Sequence, residues 1–504
     1  MNQKKNKRFR KLPAFLPALA LCGALLCPAA LAADTGTGFS DVNADAWYVS
    51  AVTYCRDTGL MGGVGSGQFG PEATMSRSML VTVLYRMSGS PAVSGTSFPD
   101  VPADSWYGPA VAWAAEQNLV NGYDDGTFRP DAPITREQMA TILWRYVDSP
   151  AAGDAQTFAD AGDISAYALP AVSWARSAKI INGVGDNRFE PKNSATRAQT
   201  ATVLMNYARY QGLSEVSGMN VMCRPSGIAA MPDASLLVTD TYNKVIWRVA
   251  NGTGAVYAGA GTVEDLSGEP VGGYNDAALM KGYFKEPWAI APFRDGWAVS
   301  DAGNGAVRLV TAEKIQTVSG TTKEALTVTE MGVAFTRPTG LAADEAGNLY
   351  IADTLQNAIR KITPDGTVTT YAAGLNDPTG LCWKNGVLYV AETSANRIVK
   401  IENGQAVLVA GSGEEGLTDG PAAQARFSNP QGVAVGDDGA IYVADTVNGA
   451  IRRIKDGNVT TLAARDMAEV ESFGLTSPTG LLVKGKVLYI CDSFARKLLI
   501  LPLE

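Results

Sequence analysis

The sequence predicts a multidomain chain in which an all-α threefold repeat precedes an all-β, six-bladed propeller. Two internal repeats of different period occupy separate parts of the 504 residues, more length than one hydrophobic core serves. The second repeat runs six times, each copy opened by a proline (Pro225, Pro287, Pro338, Pro378, Pro430, Pro478). An acid follows 14 or 15 residues later (Asp240, Asp301, Asp353, Glu392, Asp445, Asp492). Between and after these marks lie short β-rich runs parted by polar turns, usually four per copy, which is the content of one propeller blade.

Residues 1 to 33 read as a signal peptide. Lys4, Lys5, Lys7, Arg8, Arg10 and Lys11 precede an apolar run from Leu12 to Leu31 that ends at the small residues Ala32 and Ala33. Pro13, Pro17, Pro28 and Gly23 interrupt the run and argue against a retained membrane anchor. Cys22 and Cys27 each follow a leucine, where a lipoprotein signal wants a small residue. No membrane span is expected after cleavage, since no later stretch is long and apolar enough.

Six of the 42 basic residues lie in that segment, so the remainder sets 36 against 50 acids, a net charge of −14. Such a balance opposes binding to nucleic acid or anionic lipid. Four cysteines remain (Cys55, Cys223, Cys382, Cys491) in apolar or strand-like surroundings without metal-ligand spacing, and they read as free thiols. Histidine is absent, which removes the commonest general base and transition-metal ligand. Any catalysis would have to run on carboxylates, Lys, Tyr or an oxygen-ligated metal.

The first repeat has a period of about 60 residues, with copies at 39–92, 98–150 and 158–212 that begin at Phe39, Phe98 and Phe158. In the second copy Phe98-Pro99-Asp100-Val101 leads to Trp106-Tyr107, a helical run from Ala110 to Asn118, and a glycine turn from Asn121 to Pro130. Ile134-Thr135-Arg136-Glu137-Gln138 then opens a second helix. Thr135 with Gln138, and Thr196 with Gln199, have capping-box spacing, which predicts helix starts there.

An arginine in the first turn of a helix opposes the helix dipole and needs compensation. Two readings stay open: an ion pair with the Asp of the Phe-x-Asp motif, or reception of an external anionic group by the arginine and the helix N-terminus together. Gly65 to Gly70 and Gly411 to Gly416 match the spacing of a dinucleotide fingerprint, but neither stands between a strand and a helix, so both read as turns.

All three copies resemble the S-layer homology (SLH) family. The matching marks are Phe-x-Asp (Asp41, Asp100, Asp160), Trp-Tyr (Trp47-Tyr48, Trp106-Tyr107), Gly-x-Phe-x-Pro (Phe69, Phe128 and Phe189 with Pro71, Pro130 and Pro191), and the helix-opening arginine (Arg77, Arg136, Arg197). The resemblance implies a three-pronged helical pseudo-trimer that binds secondary cell-wall polysaccharide, often pyruvylated, and holds a protein non-covalently on a Gram-positive-type envelope. Copy one lacks an acid or amide after its arginine, and copy three has Ala166-Tyr167 in place of Trp-Tyr. Copy two fits best, so Arg136, Asp100, Trp106 and Gly122 rank first, followed by Asp41, Trp47, Arg77, Asp160 and Arg197.

Residues 212 to 218 form a short boundary, and 214–504 carry the six blades. Pro-x-Gly, then a run such as Leu349 to Thr354, then Asn-x-x-Ile as at Asn448 to Ile451, resembles the NHL-repeat propellers. Blade six ends at Glu504 without a fourth strand, so residues 216 to 223 are expected to supply its outer edge and close the ring. Antiparallel pairing puts the turn after each acid, the Pro-x-Gly opening and the blade-to-blade connections on one face. The long connections 261 to 285, 320 to 336, 411 to 428 and 463 to 477 therefore converge there. The residue after each opening proline is expected to ring the channel mouth as a binding face: Ser226, Trp288, Thr339, Thr379, Gln431 and Thr479. Trp288 reads either as filler beneath a loop or as a stacking platform.

The six acids read as turn residues rather than as a metal or catalytic ring. No catalytic residue, metal ligand or cofactor is assigned, although the oxygen ligands at hand are compatible with calcium. Together the resemblances imply a secreted surface protein of the cell wall or S-layer, displaying a propeller for protein or glycan binding. The alternatives are an extracellular propeller enzyme of the lactonase or lyase kind, with or without calcium, and a structural S-layer component.

Overall fold

The computed structural model describes residues 37–93, 98–151, 158–211, 214–215, 222–260, 270, 272–320, 335–465 and 475–503. The segment 1 to 33 and parts of the connections 261 to 285, 320 to 336 and 463 to 477 lie outside them. The chain divides into two compact units between Tyr210 and Gln211.

The first unit holds α1 (Val49–Asp57), α2 (Arg77–Met87), α3 (Gly108–Glu116), α4 (Arg136–Tyr146), α5 (Leu169–Ser177) and α6 (Arg197–Gln211). Ser76 caps α2 by accepting from Met79 N, and Thr135 with Gln138 forms a full capping box on α4. Thr196 and Gln199 make the same reciprocal pair ahead of α6. Helix α3 starts two residues before the run read from the sequence, because Pro109 fits the first turn, and it stops before Asn118, whose φ is 57°.

A threefold relation organises this unit. Met75 N donates to Ala195 O, Ala195 N to Ile134 O, and Ile134 N to Met75 O, each at 2.9 Å, so the chain segments ahead of α2, α4 and α6 close a ring of backbone bonds. Around it, fully buried Phe69, Phe128 and Phe189 pack on Phe39, Phe98 and Phe158, with ring centroids 5.4, 5.4 and 5.3 Å apart. The three phenylalanine pairs give each repeat its own apolar centre.

The second unit is a six-bladed β-propeller. Blade three shows the pattern, with strands Pro338–Ala343, Leu349–Asp353, Ala358–Ile362 and Val368–Ala373 in antiparallel order. Blades two and five add a fifth, outer strand, Ala277–Ala278 and Gly420–Pro421. In all six blades the opening proline stands opposite the acid, so the turn beyond each acid and each Pro-x-Gly lie on one face. The outer strand of blade six is Ser214–Glu215, paired with Ile500 and Leu499. Closure thus joins the start of the unit to its end, but two residues ahead of the segment 216 to 223, of which 216 to 221 lie outside the described residues.

Three devices hold the blades together. Each acid is fully buried and accepts one or two backbone N–H groups from the two residues ahead of its own opening proline, as Asp240 does from Cys223 and Arg224 at 2.9 Å. The hydroxyl that follows the acid reaches the next blade. Thr241, Thr354, Thr393 and Thr446 donate to the carbonyls of Pro287, Pro378, Pro430 and Pro478 at 2.8 to 2.9 Å. Ser493 donates to Pro225, and only Asp301, followed by Ala302, lacks such a donor. The glycine of Pro-x-Gly lets inner strands meet: a Cβ on Gly340 would stand 1.9 Å from the Thr379 carbonyl oxygen.

Blades two and five share a further device. Arg308, fully buried, bonds Asp301 at 3.1 Å and Asp276 at 2.6 Å, and Arg452 bonds Asp445 at 2.8 Å and Asp419 at 2.7 Å. Asp276 and Asp419 in turn accept from the backbone N–H of Thr317 and Thr461 at 2.9 Å. Each arginine so ties the segment before its blade to that blade's acid and outer strands.

Candidate functional site

The helix-opening arginines cross from one repeat to the next. Arg77 Nε donates to Phe128 O at 2.9 Å, Arg136 Nε to Phe189 O at 2.7 Å, and Arg197 Nε to Phe69 O at 2.8 Å. Each is buried, and burial works against each guanidinium charge. Among the described residues none has a carboxylate within ion-pair distance. The Asp of Phe-x-Asp is used otherwise: Asp41, Asp100 and Asp160 each accept two backbone N–H groups at 2.7 to 2.8 Å from the turn in their own repeat.

The geometry therefore divides the residues that copy two brings together in sequence. Arg136 faces Asp160 of repeat three, while Asp100 faces Arg77 of repeat one, and Arg197 faces Asp41. Gly122, at φ +74°, is held open by packing, since a Cβ there would meet the Phe98 ring at 2.6 Å. Trp47 and Trp106 are 67% and 62% exposed, each set edge-on to the next tyrosine.

The three junctions differ in what surrounds the arginine. In the first, the Arg77 guanidinium lies 4.9 Å from the Tyr123 ring and 4.7 Å from that of Phe128. In the second, Glu137 accepts from Lys192 at 2.7 Å, from Ser165 and from Tyr167. Burial opposes the charge of Glu137, yet the bonds from Lys192 and Ser165 outweigh it and hold its pKa below the usual 4.5. In the third, Arg197 spends a second nitrogen on Gly62 O at 2.6 Å.

On the propeller, the residues after the opening prolines separate into two groups. Ser226, Thr339, Thr379 and Thr479 are buried, and their hydroxyls pair with those of Thr241, Thr354, Thr393 and Ser493 of the same blade, beside the proline carbonyl of the next. Trp288 and Gln431 are half-buried and line the central channel. Arg337 lies 5.8 Å from the Trp288 ring centre and is paired with Glu286 at 2.6 Å. The hydroxyl pairs were the signal missed: five of the six blades have Thr or Ser directly after the acid, and in four of those the residue after the proline is Thr or Ser as well.

The four cysteines are free, and burial pushes the Cys55 and Cys491 thiols upward and that of Cys382 up to about 11, which leaves them unreactive. Among the described residues no cluster of His, Cys, Asp or Glu could hold a metal ion, and no helix is long and apolar enough to cross a membrane.

Comparison with known proteins gives the class. The profile of the S-layer homology domain matches residues 38–78, 97–140 and 157–201, and that of the teneurin NHL domain matches 302–481. A surface-layer 125 kDa protein of Lysinibacillus sphaericus is 30% identical over 203 residues, 40% of this chain and 17% of that one. An endoglucanase of a Bacillus species is 29% identical over 171 residues, 33% of this chain and 18% of that protein. A cellulosome-anchoring protein of Acetivibrio thermocellus is 28% identical over 152 residues, 28% of this chain and 34% of its own. The chain thus spans about a third or less of the length of these relatives. Among solved structures, virginiamycin B lyase from Staphylococcus aureus shares 15% identity over 58% of this chain and 99% of its own, with a TM-score of 0.40. A gluconolactonase of Xanthomonas campestris shares 14% over 58% and 89%, with a TM-score of 0.42. Those two likenesses are too low to bear on chemistry.

The chain carries three S-layer homology domains followed by an NHL-type six-bladed propeller. It is a cell-surface protein anchored at the cell wall or S-layer of a Gram-positive bacterium.

Proposed function

We propose that residues 1 to 33 direct secretion and are removed, that the SLH repeats at 39–92, 98–150 and 158–212 grip anionic substituents of a secondary cell-wall polysaccharide, and that the propeller at 214–504 is displayed as a platform for protein or glycan. The observation that supports the attachment reading is the set of buried arginines at the repeat junctions that, among the described residues, have no carboxylate within ion-pair distance. A buried cation wants an anion, and an acidic sugar substituent supplies one from outside. Each junction arginine lies over a phenylalanine ring, and the junction of Arg77 ranks first because Tyr123 adds a second ring there and, among the described residues, no buried acid competes. The junction of Arg136 already holds the Glu137–Lys192 pair.

Display is favoured over catalysis by the ring acids, each fully buried and each accepting at least one backbone N–H group from the segment ahead of its own blade. Trp288 and Gln431 are the candidate contacts at the channel. The test is sedimentation of the full chain with purified sacculi. Binding should vanish when the secondary polymer is stripped, and Trp106→Ala, at an exposed position, should weaken it about tenfold. Binding that survives stripping overturns the glycan reading.

A further inference from the structure

The second residue beyond each ring acid occupies the same turn in all six blades: Tyr242, Gly303, Leu355, Ser394, Val447 and Phe494. Four are large and apolar, and all four are exposed, Phe494 by 72%, Leu355 by 59%, Val447 by 53% and Tyr242 by 43%. Three of them fall on blades five, six and one, which are consecutive around the ring because Ser493 and Thr479 of blade six join Pro225 of blade one. Exposed Leu417 stands beside the same sector, since the Asn448 side chain holds the Gly416 carbonyl at 2.8 Å.

The cations of this sector lie on blades six and one, whereas on blade five exposed Glu415 adjoins the Val447 turn, accepting from the Ser428 hydroxyl while the Ser428 carbonyl accepts from Val447 N. The fourth residue beyond each acid is left-handed in every blade, and four blades use Gly305, Asn357, Asn396 and Gly449 there. Blades one and six instead hold Lys244 and Arg496 at φ 59° and 60°, a conformation that glycine and asparagine adopt at less cost. Arg224, ahead of the first opening proline, is exposed and lies on this face, its carbonyl accepting from Thr241 N. On blades six and one these positions carry three cations and, among the described residues, no exposed acid, in a chain that is acidic as a whole.

We propose that this sector, centred on Phe494, Tyr242, Val447, Arg496 and Arg224, docks an acidic polypeptide segment bearing apolar anchors. The inference rests on the reading of the propeller as a display platform. The aliphatic members decide the partner class: sugars stack on flat aromatic faces, whereas exposed Val447 and Leu417 gain only by burial against apolar side chains. The cations supply complementarity to carboxylates and on-rate.

The test uses the full chain with a random poly(Glu,Tyr) copolymer as probe, against poly-Glu and polygalacturonate. The copolymer should bind more tightly than either, and Phe494→Ser with Tyr242→Ser should weaken it about tenfold or more. Arg496→Asn, which suits the left-handed backbone and so preserves the fold, should weaken it and flatten its salt dependence. Leu355→Ser, on the blade opposite blade six, should change nothing. Copolymer binding indifferent to Phe494→Ser and Arg496→Asn but lost in Trp288→Ala overturns this docking site while leaving the platform standing. Polygalacturonate binding as tightly as the copolymer, and lost in the same variants, makes it a glycan site instead. If no probe binds the intact chain, both readings fall, whereas sedimentation with sacculi reports the wall attachment independently.

Discussion

The Ser493 hydroxyl donates to the Pro225 carbonyl at 2.6 Å, joining residues 268 positions apart and fastening the last blade to the first. Both groups are buried, so neither finds water when the other is lost. Ser493→Ala should cost about 1–2 kcal/mol, and Ser493→Thr, which keeps the hydroxyl, much less. Thermal unfolding of the full chain should show the propeller transition lowered by about 2–6 °C in the first variant. An unchanged transition would mean that the Ser214–Glu215 strand closes the ring alone.

The close approach of inner strands makes a second prediction. Gly340→Ala places a methyl where the Thr379 carbonyl oxygen already stands, so one blade must move, at a cost of about 3 kcal/mol. Ala289→Gly restores at blade two the residue the other five blades carry, and should be tolerated there. Denaturant midpoints of the two variants measure the contrast.

Removing Arg452 would strand two carboxylates, one of them in the fully buried Asp445. Arg452→Ala should destabilise by about 3–5 kcal/mol, and Arg308→Ala by a similar amount. Arg360→Ala should cost less, because Arg360 is partly exposed and stands 3.7 Å from Asp353. Equal losses in all three would show that the ties to Asp276 and Asp419 add nothing.

The helical unit carries an acid-sensitive link. The folded pKa of Glu137 lies below its ordinary 4.5, so its bonds to Lys192 and Ser165 contribute stability above that pH which is lost as pH falls through the lower folded value. The melting temperature of the helical unit should therefore drop as the pH falls below about 4.5 and through the lower folded pKa. Glu137→Gln should lower it at neutral pH and flatten this slope.

What was legible in the sequence was what repeats within one unit. Prolines, acids and phenylalanines recur at fixed spacing, so the blade count and the helical threefold could be read before any contact was known. What crosses between units was not. Arg136 and Asp100 sit in one copy of the motif, but Arg136 bonds repeat three and Asp100 serves the turn opposite Arg77. The closing strand, Ser214–Glu215, is two residues long and carries no alternation to mark it. Asp276 and Asp419 each stand 11 residues ahead of an opening proline, a shared spacing visible in the sequence but meaningless until Arg308 and Arg452 reach them. The basic sector was likewise invisible, because Arg224 and Arg496 are brought together only by ring closure.

The handover of arginines around the helical unit bears on how such anchors can be built. Two repeats in a row create one junction, and a third adds two at once, because Arg197 returns to Phe69 across 128 residues. Valency therefore does not grow by one with each duplication. A chain that lost any single repeat would keep one junction of three and forfeit the backbone ring of Met75, Ile134 and Ala195 with the others. With each junction read as a glycan site, as proposed above, losing one repeat removes two sites of three, so such an anchor keeps its full grip only where the three repeats travel together.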